Sequence, residues 1–155
     1  MRKFTYLLLI FFFTSPLCFA DSAPNFNLDT RKGKVSLESL KGKVVYVDFW
    51  ASWCTPCRKA FPWLNKMQEK YADQGLVIVG INLDGERDPA NHFLEKVPAS
   101  FTIAFDPDGK SADDFKVQVM PSSYLINREG KIVFDHKGFK VKQQNDLEAE
   151  IKKVL

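Results

Sequence analysis

Residues 44–71 change hydrophobic period in mid-course, and that change narrows the available folds more than any other feature. Val44-Val45-Tyr46-Val47-Asp48-Phe49 is apolar on both faces except at Asp48, as expected of a strand buried inside a sheet. Past Trp53-Cys54-Thr55-Pro56-Cys57, the residues Ala60, Trp63, Leu64, Met67 and Tyr71 recur at three and four, the spacing of a helix with one buried face, and Gly75 stops it. Pro62 lies inside that helix, removes one of its hydrogen bonds and predicts a kink. A buried strand that hands over directly to an amphipathic helix belongs to α/β architecture.

The rest of the chain extends the alternation. Asp21 to Lys43 is polar and glycine-punctuated and reads as a lead-in with little regular structure. Leu76 to Asn82 is a second buried strand, Pro89 to Val97 a short helix with Phe93, Leu94 and Val97 inward, and Phe101 to Phe105 a third strand closed by Asp106-Pro107-Asp108-Gly109. Ser111 to Phe115 forms a helical turn or two. Ser122 to Asn127 and Lys131 to Asp135 flank Asn127-Arg128-Glu129-Gly130, a hairpin signal. Asn145 to Leu155 closes with Leu147, Ile151 and Val154 on one helical stripe. The expected fold is a central mixed sheet whose early strands are parallel, ending in an antiparallel hairpin and flanked by helices.

Composition adds a compartment. Arg2 and Lys3 precede an apolar run from Phe4 to Phe13, broken only by Thr5, and Cys18-Phe19-Ala20 offers small residues for a cut after Ala20. This pattern predicts a signal peptide over 1–20 and a single domain over 21–155. The run is shorter than the ~20 residues that span a bilayer, so an uncleaved signal anchor is the weaker alternative. Lipidation at Cys18 is weaker still, because Ser15 and Leu17 fit such a site poorly. Taking Arg2 and Lys3 from the 22 Lys and Arg leaves 20 against 19 acids, so the overall +3 becomes +1 and offers no basic surface for nucleic acid. The expected location is the periplasm or cell envelope, with at most transient membrane contact. Of three cysteines, only Cys54 and Cys57 then remain, in a compartment where disulfides persist.

A bridge between Cys54 and Cys57 encloses two residues, too small a ring to restrict the unfolded chain, so its use is to open and close. At the start of a helix, Cys54 meets unpaired N–H groups and the positive end of the dipole, both of which favour thiolate. An exposed Cys54 would attack a disulfide and Cys57 would resolve the mixed disulfide. Thr55-Pro56 sets the turn between them, and Arg58 and Lys59 add positive charge that solvent screens. Zinc would need about four ligands, whereas two cysteines plus His92 and His136 do not have the spacing of a zinc site. An inert exported disulfide is the remaining structural alternative. No cofactor or metal is expected.

Val47-Asp48-Phe49-Trp50-Ala51-Ser52-Trp53-Cys54-Thr55-Pro56-Cys57-Arg58 resembles the active-site strand and helix of the thioredoxin superfamily, and the chain as a whole resembles TlpA/ResA-like thiol–disulfide oxidoreductases. The resemblance extends to Ala23-Pro24-Asn25-Phe26 with Leu28, to Gly42-Lys43, and to Met120-Pro121-Ser122-Ser123-Tyr124-Leu125-Ile126-Asn127. The stretch 84–111 matches the helix-and-strand insertion of that branch. It implies a thioredoxin fold in which Cys54 is nucleophile, Cys57 the resolving thiol and Pro121 a cis proline facing them. A proline entering a strand suits that place, since it cannot serve a central ladder. The resemblance also puts Trp53, Thr55, Pro56 and the backbone of Met120 at the substrate, the last by strand addition.

Asp48 matches a buried acid beneath the second cysteine. Desolvation would raise its pKa and suit it to take the proton of Cys57; an Asp merely satisfied by hydrogen bonds is the alternative. Trp50 and Trp53 are expected to be aromatic packing, with Trp53 shielding the cysteines, and Trp63 to be core or rim. Two departures stand out: Ala60 replaces a Glu carried by many members three residues after the second cysteine, and Gly80 stands where thioredoxins often place a Lys near the buried Asp. The implied activity is reduction of selected envelope protein disulfides, with apocytochrome c maturation as one setting, recharged by a membrane thiol donor. A copper metallochaperone on the same fold is the rival reading. A peroxidase would generally carry a Pro-x-x-x-Thr-x-x-Cys context, which is missing here.

Overall fold

A computed structural model describes residues 22–155; the expected signal peptide over 1–20, with Cys18, lies outside them. The strands are β1 (Asn27–Thr30), β2 (Lys34–Ser36), β3 (Val44–Trp50), β4 (Leu76–Asn82), β5 (Thr102–Phe105), β6 (Ser122–Ile126) and β7 (Ile132–Lys137). The helices are α1 (Thr55–Tyr71), α2 (Arg87–Lys96), α3 (Lys110–Asp114) and α4 (Gln144–Val154). One seven-stranded sheet runs in the order β2-β1-β5-β4-β3-β6-β7. The pairs β3–β4 and β4–β5 are parallel, while β3–β6 and β6–β7 are antiparallel. This is the thioredoxin-type mixed sheet expected from the sequence.

The N-terminal lead-in departs from expectation. Residues 27–36 form an antiparallel hairpin, and β1 then pairs antiparallel with β5, extending the sheet at one edge. Strands of three and four residues with one polar side are too short to print a period, and the edge of β5 supplies the ladder that orders them.

β3 is buried along its whole length, which explains its lack of alternation: each face meets a layer. On one face Val44, Tyr46 and Trp50 join Cys57, Phe61, Leu64 and Met67 of α1 and Leu147 and Ile151 of α4. On the other, Val45, Val47 and Phe49 pack with Phe26, Ala104, Phe115 and Tyr124. The helix α1 continues through Pro62, and Gly75, at φ 92°, turns the chain into β4. Lys70 and Tyr71 at its far end both donate to Glu148 at 2.6 Å, tying α1 to α4.

Candidate active site

The redox pair sits where β3 gives way to α1. Cys54 is the N-cap of α1, Pro56 occupies its first turn, and the Cys57 backbone N–H donates to Cys54 Sγ at 3.2 Å. Proline belongs there because its missing N–H has no partner to lose at that position. The two cysteines form a disulfide with their α-carbons 5.3 Å apart. In the reduced state the same N–H and the helix terminus would stabilise a Cys54 thiolate.

Accessibility corrects one expectation and refines another. Cys54 is only 4% exposed and Cys57 is 0%, so Cys54, expected as an exposed nucleophile, offers a small window rather than an open surface. Trp53 is 71% exposed and therefore does not pack as a core aromatic, in contrast to Trp50, which is fully buried. Thr55 and Pro56 are exposed beside it, and Met120 is half-buried. Trp63 belongs to the core, edge-on to Tyr46 at 5.9 Å.

The loop carrying Trp53 is anchored from the end of β4, a contribution that the sequence did not reveal. Asp84 accepts from Ser52 N at 3.0 Å, from Ser52 Oγ at 3.0 Å and from Asn82 Nδ2 at 2.8 Å. Leu83 N also donates to Trp50 O at 2.9 Å. The Asn-Leu-Asp sequence after an apolar strand was the available signal.

Pro121 follows a cis peptide bond from Met120. It immediately precedes Ser122, which is paired with Phe49 near the end of β3, so register brings it to the same end of the sheet as the cysteines. Ser122 Oγ donates to Val119 O at 2.7 Å, and Gly138 N donates to Pro121 O at 2.7 Å, holding that approach.

Asp48 is 2% exposed and faces α1. Ser123 Oγ donates to its Oδ1 at 2.7 Å, while Oδ2 has no protein partner. Burial pushes its carboxyl up to about 7, with the Ser123 hydrogen bond pulling the other way. Burial, and then the Asp48 charge, also push the neighbouring Tyr46 phenol upward.

The Gly80 departure has a steric cause. Gly80 is paired with Asp48, and a β-carbon there would lie 2.9 Å from the Phe101 ring and 3.3 Å from both Ile103 and Trp50 Nε1. The aromatic group of Trp50, Phe61, Phe93 and Phe101 fills the space a lysine would need. Ala60 is buried, so a Glu there would bring a charge into the core face of α1. Arg58 is held over the Phe93 ring at 5.0 Å.

Among the described residues no three His, Cys, Asp or Glu side chains cluster as a metal site, and no helix is long and apolar enough to cross a membrane. A cleft of about 810 Å³, lined by residues such as Arg31, Gln68 and Phe101, does not include the cysteines.

Comparisons agree with this geometry. Residues 19–135 match the AhpC/TSA family. The chain is 34% identical over 133 residues to thiol-disulfide oxidoreductase ResA of Bacillus thuringiensis subsp. konkukian, spanning 85% of this chain and 76% of that protein. A Chlorobium tepidum protein described as thiol:disulfide interchange protein DsbE superposes with a TM-score of 0.86 at 47% identity, covering 87% of this chain and 96% of that one. The thioredoxin domain of a Bacteroides vulgatus thiol-disulfide oxidoreductase gives 0.79 at 28% identity, over 90% and 99%. With the disulfide at the head of α1 and these relatives, the chain belongs to the AhpC/TSA family of the thioredoxin superfamily, on its TlpA/ResA-like thiol–disulfide oxidoreductase branch.

Proposed function

We propose that this thiol–disulfide oxidoreductase is exported and reduces selected protein disulfides in the cell envelope. The observation that carries the reading is the Cys54–Cys57 bridge at the N-cap of α1, with the more accessible sulfur receiving the Cys57 N–H. Cys54 thiolate attacks a substrate disulfide, forming a mixed disulfide and releasing one substrate thiolate, which takes up a proton. Asp48 accepts the proton of Cys57. The Cys57 thiolate then attacks Cys54 Sγ, expelling the second substrate thiolate; the substrate gains two electrons and the enzyme becomes the disulfide.

Trp53, Thr55, Pro56 and Met120 form the contact surface for an extended protein segment, which pairs with the backbone beside Pro121. An exposed tryptophan beside a narrow sulfur window suits a protein substrate better than a small molecule. A membrane dithiol donor restores the reduced state, and apocytochrome c is one substrate class that fits. The signal segment directs export, through cleavage after Ala20 or retention as an anchor.

Trapping with Cys57→Ala tests the roles: it should accumulate mixed disulfides through Cys54, and equal trapping by Cys54→Ala would overturn the assignment. A reduction potential well above about −180 mV would sink the reductant direction. Stoichiometric copper on the reduced protein, measured by inductively coupled plasma analysis, would favour a metallochaperone instead.

A further inference from the structure

The buried Asp48 has no evident way to return its proton to solvent. Two strands away lies a group that the sequence left unplaced. Asp48 is paired with Ser123 across β3–β6, and Ser123 with His136 across β6–β7. Directly opposed residues point to the same face of a sheet, so Asp48, Ser123 and His136 form one row on the α1 side. Their outer α-carbons are about 10 Å apart, two strand spacings. The face is independently marked by Phe134, which packs on the cysteine-containing core and stacks parallel to the His136 ring at 6.3 Å.

This row holds two buried polar atoms with no protein partner, Asp48 Oδ2 and His136 Nε2. A third, Trp63 Nε1, lies on the same side, where its ring meets Tyr46 at 5.9 Å and Phe139 at 5.8 Å. Buried polar atoms left unpaired by protein are ordinarily satisfied by ordered water with two to four partners. His136 as a residue is half-buried, and its Nε2 lies inside.

We propose that a buried water joins Asp48 Oδ2 to His136 Nε2, and that His136 carries the proton of each cycle between Asp48 and solvent. This rests on the reading of Asp48 as the base for Cys57. After Asp48 takes the Cys57 proton, the acid passes one to the water, the water passes one to Nε2, and the imidazolium releases a proton at the surface; no electrons move in this step. His136 acts through Asp48 and is a positioning residue for proton transfer. On this side of the sheet lie Tyr46 and Asp48 from β3, Ser123 from β6, and Cys57 and Trp63 from α1. Asp135 and Lys137 flank His136 on β7 and alternate to the opposite face.

The test compares unsubstituted protein, Asp48→Asn and His136→Phe, following peptide release over repeated turnovers of a fluorescent disulfide-linked peptide, with an excess small dithiol as reductant, between pH 5 and 9. Phenylalanine keeps an aromatic ring to stack on Phe134 and removes both ring nitrogens. Asp48→Asn should slow release and flatten its pH profile. His136→Phe should slow release roughly tenfold and displace the profile. Unchanged rate and profile in His136→Phe, with Asp48→Asn impaired, would overturn the relay and leave the Asp48 reading standing. Unchanged behaviour in Asp48→Asn would overturn both. Should His136→Phe fail to fold, NMR titration of the unsubstituted protein decides: the His136 Nε2 resonance must move with Asp48 Cγ, and independent titrations refute the link.

Discussion

At the scale of single residues, Asp48 and Gly80 show how the site balances chemistry against packing. The Asp48 carboxyl rises from 3.8 to about 7 because burial disfavours its charged form. The folded protein therefore holds a proton that the unfolded chain has released between about pH 4 and 7. Stability is highest below that window, falls as pH rises through it, and levels off above about 7. Asp48→Asn should abolish this slope and be more stable than the unsubstituted protein at pH 8, by up to about 4 kcal/mol. Urea denaturation at pH 5 and pH 8 would check it. Gly80→Ala forces a methyl against Phe101 and Trp50 and should cost about 1–3 kcal/mol, read as a lower urea midpoint with an unchanged slope.

At the scale of elements, the site is a junction rather than a pocket. The helix α1 delivers its N-terminus to Cys54, β6 delivers Pro121 and Ser123, and the end of β4 delivers Asp84. Removing Asp84 leaves the Ser52 N–H and hydroxyl and the Asn82 amide without their acceptor. Asp84→Ala should cost about 2 kcal/mol and loosen the Trp53 loop. A lower melting temperature together with broadened Trp53 fluorescence anisotropy decay would show this; loss of stability with an unchanged decay would leave Asp84 outside the loop's control. Strand and helix positions here were legible because each long element is buried on one or two faces and prints its period. The β1–β2 hairpin was not, since its order comes from β5, where Asp29 pairs with Phe105 and Thr30 with Ala104 far along the chain.

Across the whole molecule, the end of the sheet away from the cysteines carries a stabilising tie of its own. At the end away from the cysteines, Arg128 donates to Gly42 O at 3.0 Å, to Gln74 O at 3.0 Å and to Leu155 O at 2.9 Å. One guanidinium thus joins the approaches to β3 and β4 to the segment that follows α4. Arg128→Ala should cost about 2 kcal/mol in denaturant while leaving the rate of insulin reduction within twofold. A comparable loss in both would mean that the two ends are coupled.

The sequence by itself determined the redox pair, the strand that leads to it, the order of the main α and β elements and the buried acid. These are local properties, carried by spacing and hydrophobic period. Only the tertiary structure decided that Trp53 stands outward, that Cys54 is nearly covered, that Asp84 anchors the loop, and that His136 falls in line with Asp48. The two residues are 88 positions apart in the chain, and strand register, a property of paired backbones, is what makes them neighbours.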